Sequence, residues 1–305
     1  MIIRFADIWR PAIVRCSMQE LIARGGIAGL PLHWLPEQPS LQFLADPFGL
    51  WHEAILHVFV EAYDYRDRHG FIDVLRFDAG LQLLDRRTCL REPWHLSYPF
   101  VFEAEGAIWM LPEAHRSGAL QLYRARAFPA EWERVASFAL DTAAIDPSPL
   151  FHDGLWWLLY SPTGNRQAKM GRLHVAFAER IEGPWRPHPG NPVRSDMSSA
   201  RPGGTPLVID GVIHAPMQDC TRTYGGGIRI LRIHKLTPSV FEAEAGPLWE
   251  APGALRPYHR GFHTLSACGD ITLIDVKRFS RSPKRPLMAI GRVASNLIRG
   301  HPAGR

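Results

Sequence analysis

Short apolar runs recur along the chain, each entered through an acidic turn and left at a polar residue. Three stretches align without a gap: Ala45-Asp46-Pro47-Phe48, Ser97-Tyr98-Pro99-Phe100 and Ile145-Asp146-Pro147-Ser148. Seven residues after Asp46, Tyr98 and Asp146 stand Glu53, Glu105 and Asp153, followed by Ala54, Gly106 and Gly154. Apolar runs at 55–60, 107–111 and 155–160 come next, and Glu61, Glu113 and Ser161 close them. This pattern predicts a strand, a tight turn and a returning strand, which is a β-hairpin. A fourth copy starts at Arg201-Pro202. With two extra residues, for which Gly203 and Gly204 are candidates, it turns at Asp210-Gly211 and brings Gln218 to the place of Glu61. A weaker fifth copy starts near His263, turns at Gly269-Asp270 and returns to Asp275.

Between hairpins lie further strand-like stretches, at 71–77, 81–86, 120–127, 132–140, 171–178, 227–233 and 241–244. Four short strands in about fifty residues, five times over, predict an all-β chain: a five-bladed β-propeller with four-stranded antiparallel blades. Alternating helices, which a parallel α/β sheet needs, are missing. Helices are expected only near the ends, around 12–23 and 288–298. Residues 1–40 are read as an N-terminal segment supplying a ring-closing strand or a short helix. Residues 41–285 are read as the propeller, and 286–305 as a basic C-terminal strand or tail.

Composition narrows the class. Of 305 residues, 46% are hydrophobic, enough for a substantial core. The net charge of +5 is mild and does not suggest a nucleic-acid binder. Cys16, Cys89, Cys220 and Cys268 lack the spacing of a metal knuckle or redox pair. No apolar run reaches the ~18 residues that span a bilayer. The expectation is a soluble, cytoplasmic protein, with association to a membrane surface left open.

In a propeller the inner strands begin around one mouth of a central channel, and the second strands return to it. Asp46, Tyr98, Asp146, Arg201 and His263 should therefore form one ring, and Glu61, Glu113, Ser161 and Gln218, with Asp219 beside it, a second. Carboxylates crowded away from water are driven to different pKa values, as glycosidic acid–base chemistry requires. Tyr63, Tyr98, Trp109 and Tyr224 are candidate faces for a sugar ring. A folding reading stands beside this, because Asp-Pro is also a good turn former. Glu53, Glu105, Asp153, Asp210 and Asp270 are read as turn residues, and Glu103 as packing-related. No metal site and no cofactor are expected. His259 and His263 have ligand spacing only on a helix, and Gly225-Gly226-Gly227 lacks the context of a phosphate loop. From Lys277 on, the chain is basic without an acidic residue. That stretch is either solvated or an attachment to an anionic membrane or a partner.

The repeated anchors resemble those of the glycoside hydrolase family 43 and family 32/68 superfamily, as does the phrase Gly183-Pro184-Trp185-Arg186-Pro187-His188-Pro189-Gly190-Asn191-Pro192-Val193. Leu44-Ala45-Asp46-Pro47-Phe48, the run from Glu92 to Glu103, Ala200-Arg201-Pro202-Gly203-Gly204 and Gln218-Asp219-Cys220 are similar to the propeller at the N-terminus of plant glucosamine inositolphosphorylceramide transferases and bacterial relatives. The resemblance implies Asp46 as base or nucleophile and Asp146 as the residue that tunes the acid and orients the sugar. The general acid of family 43 is a Glu at the anchor that here reads Ala200-Arg201-Pro202, so Glu113 or Glu61 would have to substitute. Arg201 suggests an anionic group in the ligand. Tyr98, Arg201, Gln218, Asp219 and His263 are the expected substrate-binding residues. The function expected is a carbohydrate-active enzyme that cleaves or transfers a glycosidic bond on a glycolipid or envelope polysaccharide. The alternative is a non-catalytic sugar-binding or accessory module of a glycosyltransferase system.

Overall fold

The computed structural model describes residues 6–280. Its hairpins form where the acidic turns stand. Glu53 and Ala54, Glu105 and Gly106, Asp153 and Gly154, and Asp210 and Gly211 all have positive φ, between 49° and 78°. Two successive left-handed residues give the turn whose twist matches that of paired strands. Glu103, by contrast, is exposed on its strand and does not pack inward.

Five antiparallel sheets follow in chain order. The first blade is Gln42–His52, Ile55–Asp64, His69–Phe77 and Leu83–Leu90. The second is Ser97–Ala104, Ala107–Glu113, Leu120–Ala127 and Glu131–Phe138. Ala144–His152, Leu155–Pro162 and Arg172–Ala178 build the third, with short edge pairs at Arg186–Pro187 and Arg194–Ser195. In the fourth, Val212–Asp219, Gly227–Thr237 and Val240–Trp249 follow an inner strand split into Arg201–Pro202 and Leu207–Ile209.

The split falls at the two extra glycines. Gly204 has φ 146° and bridges to Leu265 of the next blade; a Cβ there would lie 1.8 Å from the Leu265 carbonyl oxygen. Only glycine fits so close an approach.

The fifth blade joins both ends of the described chain. Phe262–Cys268 and Ile271–Ser280 pair as a hairpin, and Ala6–Val14 lies antiparallel against the latter from Ala6–Ser280 to Val14–Thr272. Leu32–Trp34 adds the outer edge. The helix expected from residue 12 therefore starts later. Strand pairing holds the chain through Val14, and a capping box between Ser17 and Glu20 starts the helix Met18–Arg24. The stretch 288–298 lies outside the described residues.

Apolar clusters of buried residues fill the five gaps between blades. One joins Leu44, Val58 and Leu75 of the first blade to Ile13 and Leu273 of the fifth. Another joins Phe48 and Phe59 to Tyr98 and Met110 of the second. Burial of these faces closes the ring and fixes the radial direction of every inner strand.

Candidate functional site

The inner strands do not run straight into the channel. Asp46, Tyr98 and Asp146 have φ of 49°, 47° and 50°, and the strand register slips there, between Ala45 and Phe48, Ser97 and Phe100, and Ile145 and Ser148. Each anchor is thus a bulge with a left-handed residue before proline. Bulges re-aim side chains, and such strain concentrates at functional sites. The neighbouring pairs place the second ring: Ala45 faces Glu61, Ser97 faces Glu113, Ile145 faces Ser161, Arg201 faces Gln218 and Thr264 faces Asp275.

Asp46, Glu61, Glu113, Asp146, Arg201 and His263 line one cavity of about 290 Å³. Four residues expected in the two rings stand behind its wall: Tyr98, Gln218, Asp219 and the buried Ser161. The Tyr98 ring is buried against Phe48, and its hydroxyl accepts from the Gly204 amide at 2.6 Å and shares a hydrogen bond with Ser148. Gln218 donates to Asp146 Oδ2 and to the Pro202 carbonyl, both at 2.8 Å. Asp219 pairs with Arg229 at 3.1 Å and accepts from the Thr221 amide. Of the aromatic faces, Tyr63 and Tyr224 line the cavity; Tyr98 and Trp109 do not.

On one side of the cavity, His263 sits between two carboxylates. Its Nδ1 bonds Asp275 Oδ1 at 2.7 Å, and its Nε2 is 3.5 Å from Asp46 Oδ1. Trp9 stacks flat on the imidazole at 3.6 Å. Asp275 is fully buried and accepts from the amides of Asp46 and Thr264, which holds the two blades in register. Thr264 Oγ1 donates to Asp46 Oδ1 at 3.0 Å. Burial raises the Asp46 carboxyl to about 6, against the pull of His263. The ligating atoms of Asp46, His263 and Asp275 lie within 4.8 Å of one another, the spacing of a metal site. Asp275 is already engaged there by the His263 ring and by the amides of Asp46, His263 and Thr264.

The other side carries Glu61, Glu113 and Asp146. Burial lifts Glu61 well above the usual carboxylate range, with Asp46 and Glu113 adding to it. Its neighbour His95 accepts from the Gly70 amide on Nδ1 at 2.8 Å, which leaves the Nε2 hydrogen facing Glu61 Oε1 at 3.4 Å. Burial holds His95 down to about 4, keeping the ring neutral. Glu113 goes the other way. Burial alone would raise it, but hydrogen bonding and charge from His115, with Arg201 nearby, bring it to about 2. Glu113 and Asp146 share a hydrogen bond. Burial lifts Asp146 although Arg201 Nε donates to its Oδ2 at 2.8 Å. The cavity therefore holds carboxyl groups whose pKa values are displaced in opposite directions.

The chain matches the family described as the N-terminal region of glucosamine inositolphosphorylceramide transferase 1 over residues 36–250. It belongs to that family. It is 36% identical over 248 residues to glucosamine inositolphosphorylceramide transferase 1 of Oryza sativa subsp. indica, covering 77% of this chain and 33% of the rice protein. The chain thus spans about a third of the curated relatives it matches. Among solved structures, an α-L-arabinofuranosidase of Podospora anserina superposes with a TM-score of 0.59 at 9% identity, over 81% of this chain and 95% of that one. A thermostable family 43 glycoside hydrolase superposes with a TM-score of 0.52 at 17% identity, over 72% and 82%. These structures share the fold.

The stretch matched to the transferase N-terminal family holds Asp46, Glu61, Glu113, Asp146 and Arg201, but the site is larger. His263, Asp275 and Trp9 lie outside it. Sequence reading missed Trp9, Phe43, His95, Ser97 and Arg116 as cavity-lining residues. Two of these had a signal: Ser97 precedes an anchor, and His95 sits in the specific phrase before it. Asp275 could have been found too, because it ends the fifth repeat where Glu61 ends the first.

Proposed function

We propose that the chain is a carbohydrate-active propeller that cleaves or transfers a glycosidic bond. The observation that carries this reading is the convergence of Asp46, Glu61, Glu113 and Asp146 on one cavity with opposed pKa displacements. Glycosyl chemistry needs one ionised and one protonated carboxyl group across the scissile bond. Asp46 is the base or nucleophile, and Asp146 orients the sugar. Glu61 is the better acid of the two candidates, since burial raises its pKa while His115 lowers that of Glu113. Tyr63 and Tyr224 offer faces to the ring, and Arg201 with Arg116 favours a ligand that carries a phosphate or carboxylate.

The substrate class we propose is a glycolipid or envelope polysaccharide. Its support is the family membership, since the rice relative is named for transfer to an inositolphosphorylceramide. Attachment to a membrane surface or a glycosyltransferase partner through the basic segment after Lys277, in a cytoplasmic setting, belongs to the same proposal. Among the described residues no helix is long and apolar enough to cross a membrane.

A panel of glycosides and glycolipid head groups, screened by thermal shift and then for released or transferred sugar, tests the reading. Turnover lost in Asp46→Asn supports it; a fully active variant removes the assignment. A second reading has its own observation: the anchor that in family 43 carries the acid is Arg201, already paired to Asp146. On that reading the chain is a non-catalytic sugar-binding or accessory module. Tight binding of a panel member without any product favours it.

A further inference from the structure

Strand direction assigns every loop to one of two faces. Inner strands start, and second strands end, at the cavity mouth. Loops joining second to third strands, and fourth strands to the next blade, therefore open on the cavity face; the turns inside each inner hairpin open on the opposite face. The two faces differ in charge. Arg68, Arg91, Arg116, Arg166, Arg256 and Arg260 all lie in the connections on the cavity face, Arg116 in a 3-10 turn and Arg166 at the start of the short helix Arg166–Gly171, and all are exposed. Arg66 and Arg222 on that face are tied to Asp64 and Glu250, but these six are in no ion pair among the described residues. Phe279, 40% exposed, ends the last strand on the same side. The sequence after it adds Arg281, Lys284, Arg285, Arg292, Arg299 and Arg305 with no acidic residue. On the opposite face each blade presents an exposed acid at its inner turn: Glu53, Glu105, Asp153, Asp210 and Asp270.

We propose that the face bearing the cavity docks on an anionic lipid surface, which sets the cavity opening against lipid head groups. An anionic leaflet attracts unpaired Lys and Arg within a Debye length, while the acidic turns are repelled, so the charge layout selects one orientation. A globular polyanion could also meet the arginines. Their spread over four of the five blades, around one opening, fits a broad planar surface better. The docking rests on the charge layout and not on turnover. A chain that docks but releases no sugar would support it while removing the hydrolytic reading.

The test is vesicle co-sedimentation of the full chain at ~0.1 M salt, with neutral phosphatidylcholine vesicles against vesicles holding about 30% phosphatidylserine. Binding to the anionic vesicles alone, weakened by added salt, is expected. The combined Arg68→Gln, Arg166→Gln and Arg256→Gln variant should lose roughly a hundredfold in partitioning, since each basic group near the surface is worth about fivefold. Glu53→Gln with Asp153→Asn and Asp210→Asn should bind as the unaltered chain does. Circular dichroism melting checks that both variants fold. Equal binding to neutral vesicles, no binding at all, or an unaffected arginine variant would overturn the proposal. Duplex DNA displacing the vesicles at equal charge concentration would overturn the lipid assignment.

Discussion

Arg201 Nε donates to Asp146 Oδ2 at 2.8 Å, and both side chains are buried. Arg201 also donates to the Lys169 carbonyl at 3.1 Å and lies over the Tyr224 ring at 5.0 Å. Removing one partner of such a pair leaves a buried group uncompensated, at a cost of about 3–5 kcal/mol. Arg201→Met should therefore lower the urea midpoint by a matching amount. Arg201→Lys should not restore it, because an ammonium cannot reproduce the planar fork. A midpoint that does not move would count against the pair as a structural element.

Asp46→Asn tests the base. The amide retains an oxygen for Thr264 Oγ1 but sets an NH2 where the second carboxylate oxygen accepted from the Tyr98 amide at 3.3 Å, so the fold should persist with a modest change in melting temperature. Turnover of whichever glycoside the panel identifies should fall by roughly 10²–10⁴.

The same carboxyl sets a pH profile. With its pKa near 6, Asp46 is ionised, and on the proposed mechanism able to act as a base, only above that value. The rate constant kcat/KM should rise through pH of about 6, then fall at higher pH as Glu61 loses its proton. Stability has the opposite sign. The folded pKa lies above the ordinary value of 3.8, so the folded state binds this proton more tightly than the unfolded chain. Asp46 thus subtracts stability as pH rises from about 3.8 to about 6, and Asp46→Asn should flatten that part of the denaturation profile.

Gly70 is held in close quarters. A Cβ there would lie 2.5 Å from the Leu96 carbonyl oxygen and 2.8 Å from Glu61 Oε1. Gly70→Ala should cost about 1–3 kcal/mol through overpacking and displace both His95 and Glu61. Ligand affinity measured by calorimetry should drop more than stability alone predicts; unchanged affinity would place Glu61 outside the binding site.

Lys277 is fully buried, with its Nζ 3.1 Å from Asp7 and bonded to the Tyr224 carbonyl. Asp7→Asn should destabilise the fold by leaving this ammonium without a counter-charge. Asp7→Asn combined with Lys277→Met should recover much of the loss. Thermal melts of the two variants decide it.

Blade number and hairpin register were legible because turn residues recur at fixed offsets, so Glu61 and Glu113 could be placed opposite their anchors. The bulges were not legible. They insert one residue in each of three repeats alike, so the alignment is unchanged while the side chains are re-aimed. Tyr98 shows the effect. It occupies an anchor, yet its hydroxyl reaches Gly204, because the broken fourth inner strand offers backbone groups there. Trp9 was invisible for another reason: it precedes the first repeat, and only pairing with Lys277 in the last strand brings it to the cavity.

That pairing ties the site to completion of the ring. Asp46 and Glu61 belong to the first blade, but Trp9 waits on Ala6–Val14 until Ile271–Ser280 exists to receive it. During synthesis from the N-terminus, the pocket therefore cannot form until nearly the whole described chain has emerged. A nascent or truncated product would lack the Trp9 wall of the cavity, and occupancy of the finished cavity would report on translation carried to its final blade.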